Sequence, residues 1–408
     1  MRIAVFSDNF YPEIGGIQDS IEALAQALSK RGHFVDFYVP KYGRGDYEPI
    51  KAELREICLG NNIRICRIRS IPFPTSTNQS RMVVPSPVSW LRLMPGSRPD
   101  IIHSQTFFGV GLNALLTGRM LRIPIVGTNH TAIKAFRSYV PVGMDKIVAY
   151  VLWYYNHCDL VTAPSRSVFG ELEMDKLRPP HNVVSNPIAT EIFRPALPER
   201  QRELKKELGL GDLTVAYAGR LGVEKNIDTI FRALALVKRQ IPSIELAIAG
   251  HGSFEKRLRQ LARQLSIEAN VKFLGTLPKE SLARLFQASA VFVTMSTSET
   301  QGMALLQAMA CGTPVVGANV RALPEYINEE CGFVVDPYDA DSLSSHIMHL
   351  LADAKLRTTL GRNAASFALQ FSTEDVVDKW ESVYRTMILR KGNNYEKPYH
   401  DQFRRTGV

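Results

Sequence analysis

The first forty residues of the chain decide the fold. Residues 2–40 read RIAVFSDNFYPEIGGIQDSIEALAQALSKRGHFVDFYVP, which is a short β-rich run, a polar loop, a helical pattern and a second β-rich run. The helical pattern comes from apolar residues at helical spacing, namely Ile21, Leu24, Ala25 and Leu28. A strand, a helix and a second strand in this order predict a parallel βαβ unit.

The same alternation recurs along the chain. Strand-like runs stand at 100–105, 124–130, 159–165 and 182–188, and after a break rich in proline and charge the alternation restarts at 213–219. The sequence therefore predicts an α/β protein with two facing, doubly wound parallel sheets of the Rossmann-like kind. The predicted organisation is an N-terminal domain over 1–193, a linker over 194–202, a C-terminal domain over 203–372, a helix over 373–390 that packs back on the N-terminal domain, and a polar tail over 391–408.

The composition is that of an ordinary globular protein. The chain has 408 residues, of which 45% are hydrophobic and 22% charged, and its formal net charge is +9. These values exclude collagen-like and largely disordered chains. The five cysteines are scattered and form no C-x-x-C pair, which fits neither a disulfide framework nor a zinc site and favours a reducing cytosol.

No segment has the pattern of a membrane-spanning helix. The longest unbroken apolar run, IVAYVLWYY at 147–155, is shorter than the roughly 20 residues that span a bilayer. The first residues also lack the apolar core and the cleavage site of a signal peptide. We therefore expect a cytoplasmic protein without a membrane span.

Much of the excess positive charge falls in one segment, residues 61–98. It contains six arginines, no lysine and no acidic residue, and the arginines are interleaved with apolar residues. Arginine beside exposed apolar side chains suits an anionic bilayer surface, at about 1 kcal/mol per basic residue near the headgroups. The alternative is a solvated loop with a strand at 63–68 that uses some of these side chains in the sheet. The candidate residues for contact with the acceptor or the membrane are Arg64, Arg67, Arg69, Phe73, Arg81, Trp90 and Arg92.

Glycine and basic residues follow three of the predicted strands. Gly15 and Gly16 precede the first helix, Arg220 and Lys225 follow the strand LTVAYAG, and GHGSF at 250–254 follows the next strand. Adjacent glycines let backbone amides approach a ligand, a helix N-terminus favours negative charge, and an Arg–Lys pair suits a diphosphate. A tight turn without a ligand and solvated surface charge are the alternatives. The dinucleotide fingerprint G-x-G-x-x-G is absent from the first loop.

The most informative stretch is VTMSTSETQGMALLQAMACGTPVVG at 293–317. A strand leads into a small polar loop, and Met303, Leu306 and Ala310 then mark a helix. Glu299 lies at the mouth of this helix. A carboxylate there either accepts hydrogen bonds from ligand hydroxyls or caps the helix.

Together these motifs resemble the retaining glycosyltransferases of family four, which have the two-domain GT-B fold. The resemblance rests on the Gly-Gly loop, the GR-x4-K pair, the glycine loop at 250–252 and SETQGMALLQAMACGTPVVG, and it covers about residues 1–390. It implies an enzyme that moves a hexose from a nucleotide sugar, UDP- or GDP-linked, to an acceptor hydroxyl with retention of configuration. The N-terminal domain would bind the acceptor and the C-terminal domain the nucleotide sugar, with no further cofactor.

The resemblance also implies roles for individual positions. Arg220 and Lys225 match the pair that holds the donor diphosphate, and Glu299 matches an acid that contacts hydroxyls of the donor sugar. Gly16 matches an amide near the leaving phosphate, and His130 in GTNHT matches the histidine beside the reacting sugar. A strand-end histidine with local partners is the alternative for His130. The implied catalytic residues are His130, Arg220, Lys225 and Glu299, and the implied donor-binding residues are Gly16, Arg220, Lys225, Gly250, Gly252, Glu299, Thr300, Gln301, Gly302 and Gln307.

One position departs from the family pattern. The second acid of the family's E-x7-E motif falls on Gln307, counted from Glu299. An amide offers one good acceptor and no charge, which costs about 1–2 kcal/mol of donor binding. The resemblance assigns no protein nucleophile, and Asp8 and His130 are both candidates to assist the acceptor hydroxyl.

At subfamily level the chain looks most like the membrane-associated lipid glycosyltransferases, such as diacylglycerol glucosyltransferases. The segment 61–98 carries this likeness, with ETQG at 299–302 and VVSNPI at 183–188. It implies a lipid acceptor, an anionic membrane surface as partner and a peripheral location on the inner face of the membrane. Phosphatidylinositol mannosyltransferases and soluble sucrose- or polysaccharide-forming members share the donor motifs and stay open as alternatives.

Other classes of protein fit the sequence less well. A basic nucleic-acid-binding protein is disfavoured, because the arginine segment lacks an aromatic stacking array and any helix-turn-helix or zinc signature. A GT-B protein that binds without catalysis stays open because of Gln307. The triplet DAD at 339–341 has the form of a metal-binding D-x-D, but it precedes a helical run, where Asp is a good N-cap. We predict no catalytic metal.

Overall fold

The computed structural model describes residues 1–13, 15–47, 55–72, 81–84, 98–131, 143–172 and 174–392. The chain divides into two compact units. The first consists of Met1–Ser185 and the chain from Val376 on, and the second of Asn186–Asp375. The second unit therefore begins before the boundary predicted at 193/194.

The first unit is built on a seven-stranded parallel sheet with the order β3-β2-β1-β6-β7-β8-β9, beside a two-stranded antiparallel ribbon of β4 and β5. The strands are β1 (Arg2–Phe6), β2 (Phe34–Pro40), β3 (Ile63–Ile68), β4 (Ile71–Pro72), β5 (Arg81–Met82), β6 (Ile101–Ser104), β7 (Ile125–Thr128), β8 (Leu160–Ala163) and β9 (His181–Val183). The helices are α1 (Gly16–Lys30), α2 (Arg44–Tyr47), α3 (Gly109–Leu121), α4 (Met144–Tyr155) and α5 (Arg166–Phe169), with a 3-10 turn at Met174–Lys176.

Both faces of this sheet are buried, which explains why its strands are apolar without a clean alternation. In β1, Ile3 and Val5 belong to the core cluster on one face, and Ala4 and Phe6 belong to the cluster on the other. The predicted alternation of strands and helices is confirmed here.

The second unit is built on a six-stranded parallel sheet with the order β12-β11-β10-β13-β14-β15. The strands are β10 (Thr214–Ala218), β11 (Glu245–Ala249), β12 (Val271–Gly275), β13 (Val291–Thr294), β14 (Val315–Ala318) and β15 (Gly332–Val335). The helices are α6 (Pro198–Glu207), α7 (Ile227–Gln240), α8 (Glu255–Gln264), α9 (Lys279–Ala288), α10 (Met303–Ala310), α11 (Leu323–Tyr326), α12 (Ala340–Ala352) and α13 (Ala354–Ala368), with 3-10 turns at Val223–Lys225, Glu268–Asn270 and Leu369–Phe371.

The predicted linker at 194–202 is in part a helix. Helix α6 starts at Pro198, where proline is favoured because the first helical N–H has no partner in any case. Glutamate, arginine and lysine are good helix formers, and Leu204 is buried in the core of the second unit. The charge cluster that indicated a linker is the exposed face of this helix.

The final helix, α14 (Thr373–Gly392), belongs to the first unit from Val376 on. Its buried side chains Val376, Trp380 and Tyr384 are part of a core cluster of that unit. Glu381 accepts a 2.7 Å hydrogen bond from Nε2 of His33, which lies between α1 and β2. The tail predicted from 391 lies, from residue 393 on, outside the described residues.

Candidate active site

In the second unit, polar side chains gather at the carboxyl ends of β10 and β13. These two strands are neighbours at the point where the strand order reverses, which is where open α/β sheets bind ligands. Lys225, in the 3-10 turn after β10, donates to Glu299 in the loop after β13, with 2.5 Å between Nζ and Oε1. The two loops are also joined by the Thr297 amide, which donates to the Glu224 carbonyl at 3.0 Å.

The Glu299 carboxylate is ionised at neutral pH. Burial opposes its ionisation, but the ammonium of Lys225, hydrogen bonds from Lys225 and Ser296, and the more distant Arg220 together hold the pKa of Glu299 below its usual value. Its side chain keeps 20% of its surface exposed. An ionised acid beside a cation presents acceptors for hydroxyls and a positive charge for an anion in one place.

Arg220 is held by an acid that the sequence analysis did not single out. Its Nη2 donates to Glu224 Oε1 at 2.6 Å, and the guanidinium side chain remains 46% exposed. The phenol of Tyr217 donates to the carbonyl of Arg220 at 3.2 Å from inside the core. The helical i,i+4 rule does not predict this pair, because Arg220 lies in the loop after β10 and Glu224 in the 3-10 turn that follows.

Close backbone contacts explain the two glycines in the loop after β11. A Cβ on Gly250 would lie 1.9 Å from the carbonyl oxygen of Gly219, and one on Gly252 would lie 2.3 Å from that of Leu221. The loops after β10 and β11 are bonded to each other, with the Leu221 amide donating to the His251 carbonyl at 3.0 Å. Glycine therefore lets these two backbones touch and fixes the loop that carries Arg220.

The donor-binding residues predicted around α10 have different environments. Gly302 begins the helix with a positive φ of 82°. Gln301 is buried, with Oε1 accepting from the amide of Asn186 at 2.8 Å and Nε2 donating to its carbonyl at 3.1 Å. Both polar atoms of the Gln301 side chain are bonded to Asn186 within the unit. Only the backbone of Gln301 therefore remains available for its predicted contact with a donor. Thr300 and Gln307 are half-buried, and the Gln307 amide has no hydrogen-bond partner within the part of the chain that the structure describes.

In the first unit, the predicted residues also lie at the carboxyl edge of the sheet. Gly16 is exposed and forms the first turn of α1, which follows β1. His130 is buried two residues beyond the end of β7, and its Nε2 lies 2.7 Å from Gln105 Oε1. Gln105 follows β6, the neighbour of both β1 and β7. No sequence motif indicated Gln105.

Both carboxylate oxygens of Asp8 accept hydrogen bonds within the first unit. Its Oδ1 accepts from the Val110 amide in the first turn of α3 at 2.9 Å, and its Oδ2 accepts from the Thr106 hydroxyl at 2.6 Å. It is 7% exposed, and burial raises the pKa of its carboxyl. The side chain caps a helix across the sheet with one hydrogen bond on each oxygen, and its role with an acceptor hydroxyl stays a prediction.

Most of the described arginines in the basic segment are paired. Arg64 donates to Asp36 at 2.9 Å, Arg67 forms a bidentate pair with Glu56, and Arg81 binds Asp46. Arg67 also lies over the rings of Phe10 and Tyr42. Strand β3 pairs with β2, so the alternative interpretation of a strand at 63–68 is confirmed and the free basic patch is wrong for these arginines. Acidic residues from other parts of the chain neutralise the charge of these three arginines.

The remaining residues of that prediction divide into two groups. Arg69 is exposed and has no ion-pair partner among the residues that the structure describes. Phe73, Trp90 and Arg92 lie outside the described residues.

The D-x-D triplet is a helix cap, as predicted. Asp339 Oδ1 accepts from the Ser342 amide at 2.8 Å at the start of α12. Over the described ranges, no cluster of three or more His, Cys, Asp or Glu side chains is suited to a metal ion. Over the same ranges, no helix has the length and apolarity needed to cross a bilayer.

Both units match known protein families. Residues 14–192 match the family described as Glycosyltransferase Family 4, and residues 200–367 match the family described as Glycosyl transferases group 1.

Individual relatives cover nearly the same span. The chain is 31% identical over 338 residues to an alpha-monoglucosyldiacylglycerol synthase of Streptococcus pneumoniae, covering 81% of this chain and 74% of that protein. A synthase of the same name from Acholeplasma laidlawii is 22% identical over 97% of this chain and 100% of its own length. Among solved structures, Anabaena HepE in complex with UDP has a TM-score of 0.76 at 20% identity, covering 95% of this chain and 100% of that one.

Proposed function

The chain belongs to glycosyltransferase family 4, with its GT-B fold and retaining hexosyl transfer, and we propose that it moves a hexose from a UDP-linked donor to a hydroxyl of a membrane lipid such as diacylglycerol. The observation that carries the proposal is the Lys225–Glu299 pair at the switch point of the second sheet. A cation and an ionised acid side by side suit the two ends of a sugar diphosphate.

The basic residues act where charge develops during transfer. When the glycosidic bond to the diphosphate breaks, negative charge accumulates on the departing phosphate oxygens. Lys225 supplies a compact charge, and Arg220 supplies the N–H donors that Glu224 leaves free. Groups held in place before the reaction lower the barrier, because they need no reorganisation as charge appears.

Glu299 orients the sugar in this proposal. Its carboxylate is ionised, partly exposed and already fixed by Lys225, so its open lone pairs accept hydrogen bonds from sugar hydroxyls. A sugar held through two hydroxyls presents its anomeric carbon in one orientation, which is the contribution of positioning to rate.

A membrane-borne acceptor fits an apolar surface of the first unit. Leu116 and Met120 lie four residues apart on α3, Phe108 is the N-cap of the same helix, and Trp153 lies on α4, stacked on Tyr150. The four side chains Phe108, Leu116, Met120 and Trp153 are 37–56% exposed. The proposal takes them as one membrane-contacting surface, here called the α3–α4 face. Exposed aromatic and aliphatic side chains of this kind insert at a membrane interface. The 31% identity to the pneumococcal synthase, whose name specifies a glucosyldiacylglycerol product, supports the same acceptor class, and the proposal places the enzyme peripherally on the inner face of the membrane.

Transfer to liposomes tests the proposal. The full chain is incubated with liposomes of phosphatidylglycerol and diacylglycerol and with a panel of UDP- and GDP-sugars, and lipid products are identified by mass spectrometry. We expect a hexosyl-lipid with one UDP-sugar. Transfer to sugar, polysaccharide or inositol acceptors in parallel tubes, with none to diacylglycerol, would overturn the lipid assignment.

The double variant Met120→Glu/Trp153→Glu separates membrane contact from chemistry. We expect it to lose most transfer to liposomes while keeping transfer to a water-soluble short-chain diacylglycerol, because only the surface contact has changed. Leu389→Glu is the control for each single exchange, Met120→Glu and Trp153→Glu, since it adds one negative charge at an exposed leucine of α14. Equal activity of the double variant on both lipid forms would show that the α3–α4 face does not contact the membrane.

A separate prediction concerns Gln307 on α10. Restoring the family's second acid with Gln307→Glu should tighten binding of the UDP-sugar by about tenfold, because a carboxylate accepts from both ribose hydroxyls. Isothermal titration calorimetry measures the change. Gln264→Glu adds the same charge at an exposed position of the same unit and should leave affinity unchanged. An unchanged Kd for Gln307→Glu would contradict the alignment of this helix with the nucleoside.

A further inference from the structure

We propose that Gln105 is a positioning residue, which holds His130 as the tautomer with its proton on Nε2 and a free lone pair on Nδ1, and that His103 and Tyr384 hold Gln105 in place. What His130 binds rests on the proposed function, but its tautomer does not. All four residues belong to the first unit.

The contacts form a continuous buried chain. His130 Nε2 lies 2.7 Å from Gln105 Oε1, an amide oxygen that only accepts, so the imidazole nitrogen donates. The other end of the same amide, Nε2, lies 3.1–3.2 Å from the two ring nitrogens of His103. These nitrogens also lie 2.7 Å from the Tyr384 and Thr128 hydroxyls. The nitrogen of the Gln105 amide therefore packs against the His103 ring, and its oxygen faces His130.

His130 then has one nitrogen left for a ligand. Nδ1 is buried and has no hydrogen-bond partner among the described residues, and neither has the side-chain nitrogen Nδ2 of the neighbouring Asn129. Both residues are at least nine-tenths buried. Buried polar groups are normally bonded, so two adjacent unpaired groups indicate a missing partner. The free acceptor Nδ1 fits a hydroxyl, which can donate to it.

Burial keeps the His130 imidazole neutral, as this hydrogen-bond arrangement requires. Burial lowers the pKa of His130 to about 4, and burial followed by repulsion from His130 lowers that of His103 to about 3. Among the described residues, the charged or titratable groups that face this pair are the two imidazoles themselves and the Tyr384 phenol, whose pKa burial raises. Both histidines are therefore neutral at physiological pH.

The network gives the C-terminal helix a role in the site. Tyr384 lies on α14, is fully buried, and is 281 positions from His103 in the sequence. Trp380, one turn earlier, packs on the His103 ring with 4.3 Å between centroids. The docked helix fixes His103, and through Gln105 it fixes the direction of the His130 lone pair.

The tautomer can be observed without substrate. Long-range proton–nitrogen correlation spectra of the full chain, labelled with nitrogen-15 histidine, distinguish protonated from unprotonated ring nitrogens, and His130→Gln identifies the signal. We expect His130 to show a protonated Nε2 and an unprotonated Nδ1 at pH 7. A protonated Nδ1 overturns the proposal, whatever the enzyme's activity.

Variants of Gln105 and Tyr384 test the coupling. Gln105→Leu and Tyr384→Phe should mix the two His130 tautomers in the spectrum, and Gln105→Leu should lower kcat about tenfold, the cost of about one hydrogen bond. In Gln105→Glu a carboxylate faces Nε2 and favours the imidazolium, so Nδ1 becomes a donor and the acid limb of the kcat profile moves to higher pH. If the acid limb of the kcat profile stayed at the same pH and the spectrum still showed a single His130 tautomer, Gln105 would be a packing residue only. Donor binding measured by calorimetry on the same variants tests the proposed function separately.

Discussion

Lys225→Ala should lower turnover at saturating donor by roughly 10²–10³-fold, the loss seen when one preorganised charge-stabilising donor is removed from a closed site. Lys225 is well placed for this because it is only 16% exposed and Glu299 fixes it at 2.5 Å. The ground-state diphosphate is also charged, so KM should rise as well, but the larger effect falls on kcat because charge on the phosphate grows as the bond breaks.

Arg220→Ala should lower turnover by a smaller factor. Arg220 is 46% exposed and shares its guanidinium with Glu224, so solvent and a competing acid weaken its effect on the phosphate. Steady-state kinetics with the UDP-sugar that the product assay identifies measures both variants, and thermal unfolding confirms that each is folded.

Lys272→Ala is the matched control for Lys225→Ala. Lys272 also pairs with a glutamate, Glu245, at 2.9 Å in the same unit. Glu245 begins β11 and Lys272 lies near the start of β12, so this pair is at the amino edge of the sheet, opposite the site. Lys272→Ala should therefore leave kcat unchanged. A Lys225→Ala enzyme with the kcat of the unaltered chain would remove Lys225 from the mechanism.

The sequence predicted which residues stand at the strand ends, but not which of them touch. Lys225 and Glu299 are 74 positions apart, and only the adjacency of β10 and β13 brings their loops together. Strand order depends on how the crossover helices pack and has no local signature. The periodic apolar pattern, in contrast, is local, and it predicted both parallel sheets.

The basic segment shows how a local charge count misleads. Residues 61–98 contain no acid, yet Arg64 meets Asp36 because β3 is paired in register with β2, where Asp36 is the direct neighbour of Arg64. Arg81 likewise meets Asp46 from α2. A charge in a sheet is balanced by its lateral neighbours, which the linear sequence does not reveal. The polar chain from Tyr384 to His130 was missed for the same reason.

Gly250→Ala should destabilise the second unit by about 3–5 kcal/mol. The new Cβ would lie 1.9 Å from the Gly219 carbonyl oxygen, a backbone atom that moves only if the loop after β10 moves. The residue also has a φ of +145°, a conformation that alanine rarely adopts. Because Arg220 follows Gly219 directly, the same displacement should weaken donor binding in whatever fraction of the protein remains folded.

Two further glycines separate the collision from the backbone strain. Gly209 has a φ of +60° with open space around its Cβ position, so Gly209→Ala should cost only about 1–2 kcal/mol. Gly211 has neither a positive φ nor a close neighbour, its nearest contact being the Glu245 carboxylate at 3.5 Å, so Gly211→Ala should be close to neutral. Urea unfolding followed by circular dichroism ranks the three variants. If Gly250→Ala lowered the free energy of unfolding no more than Gly209→Ala, the loop after β10 would be able to move away from the new Cβ. Its glycine would then serve the approach of a ligand rather than the contact between the two loops.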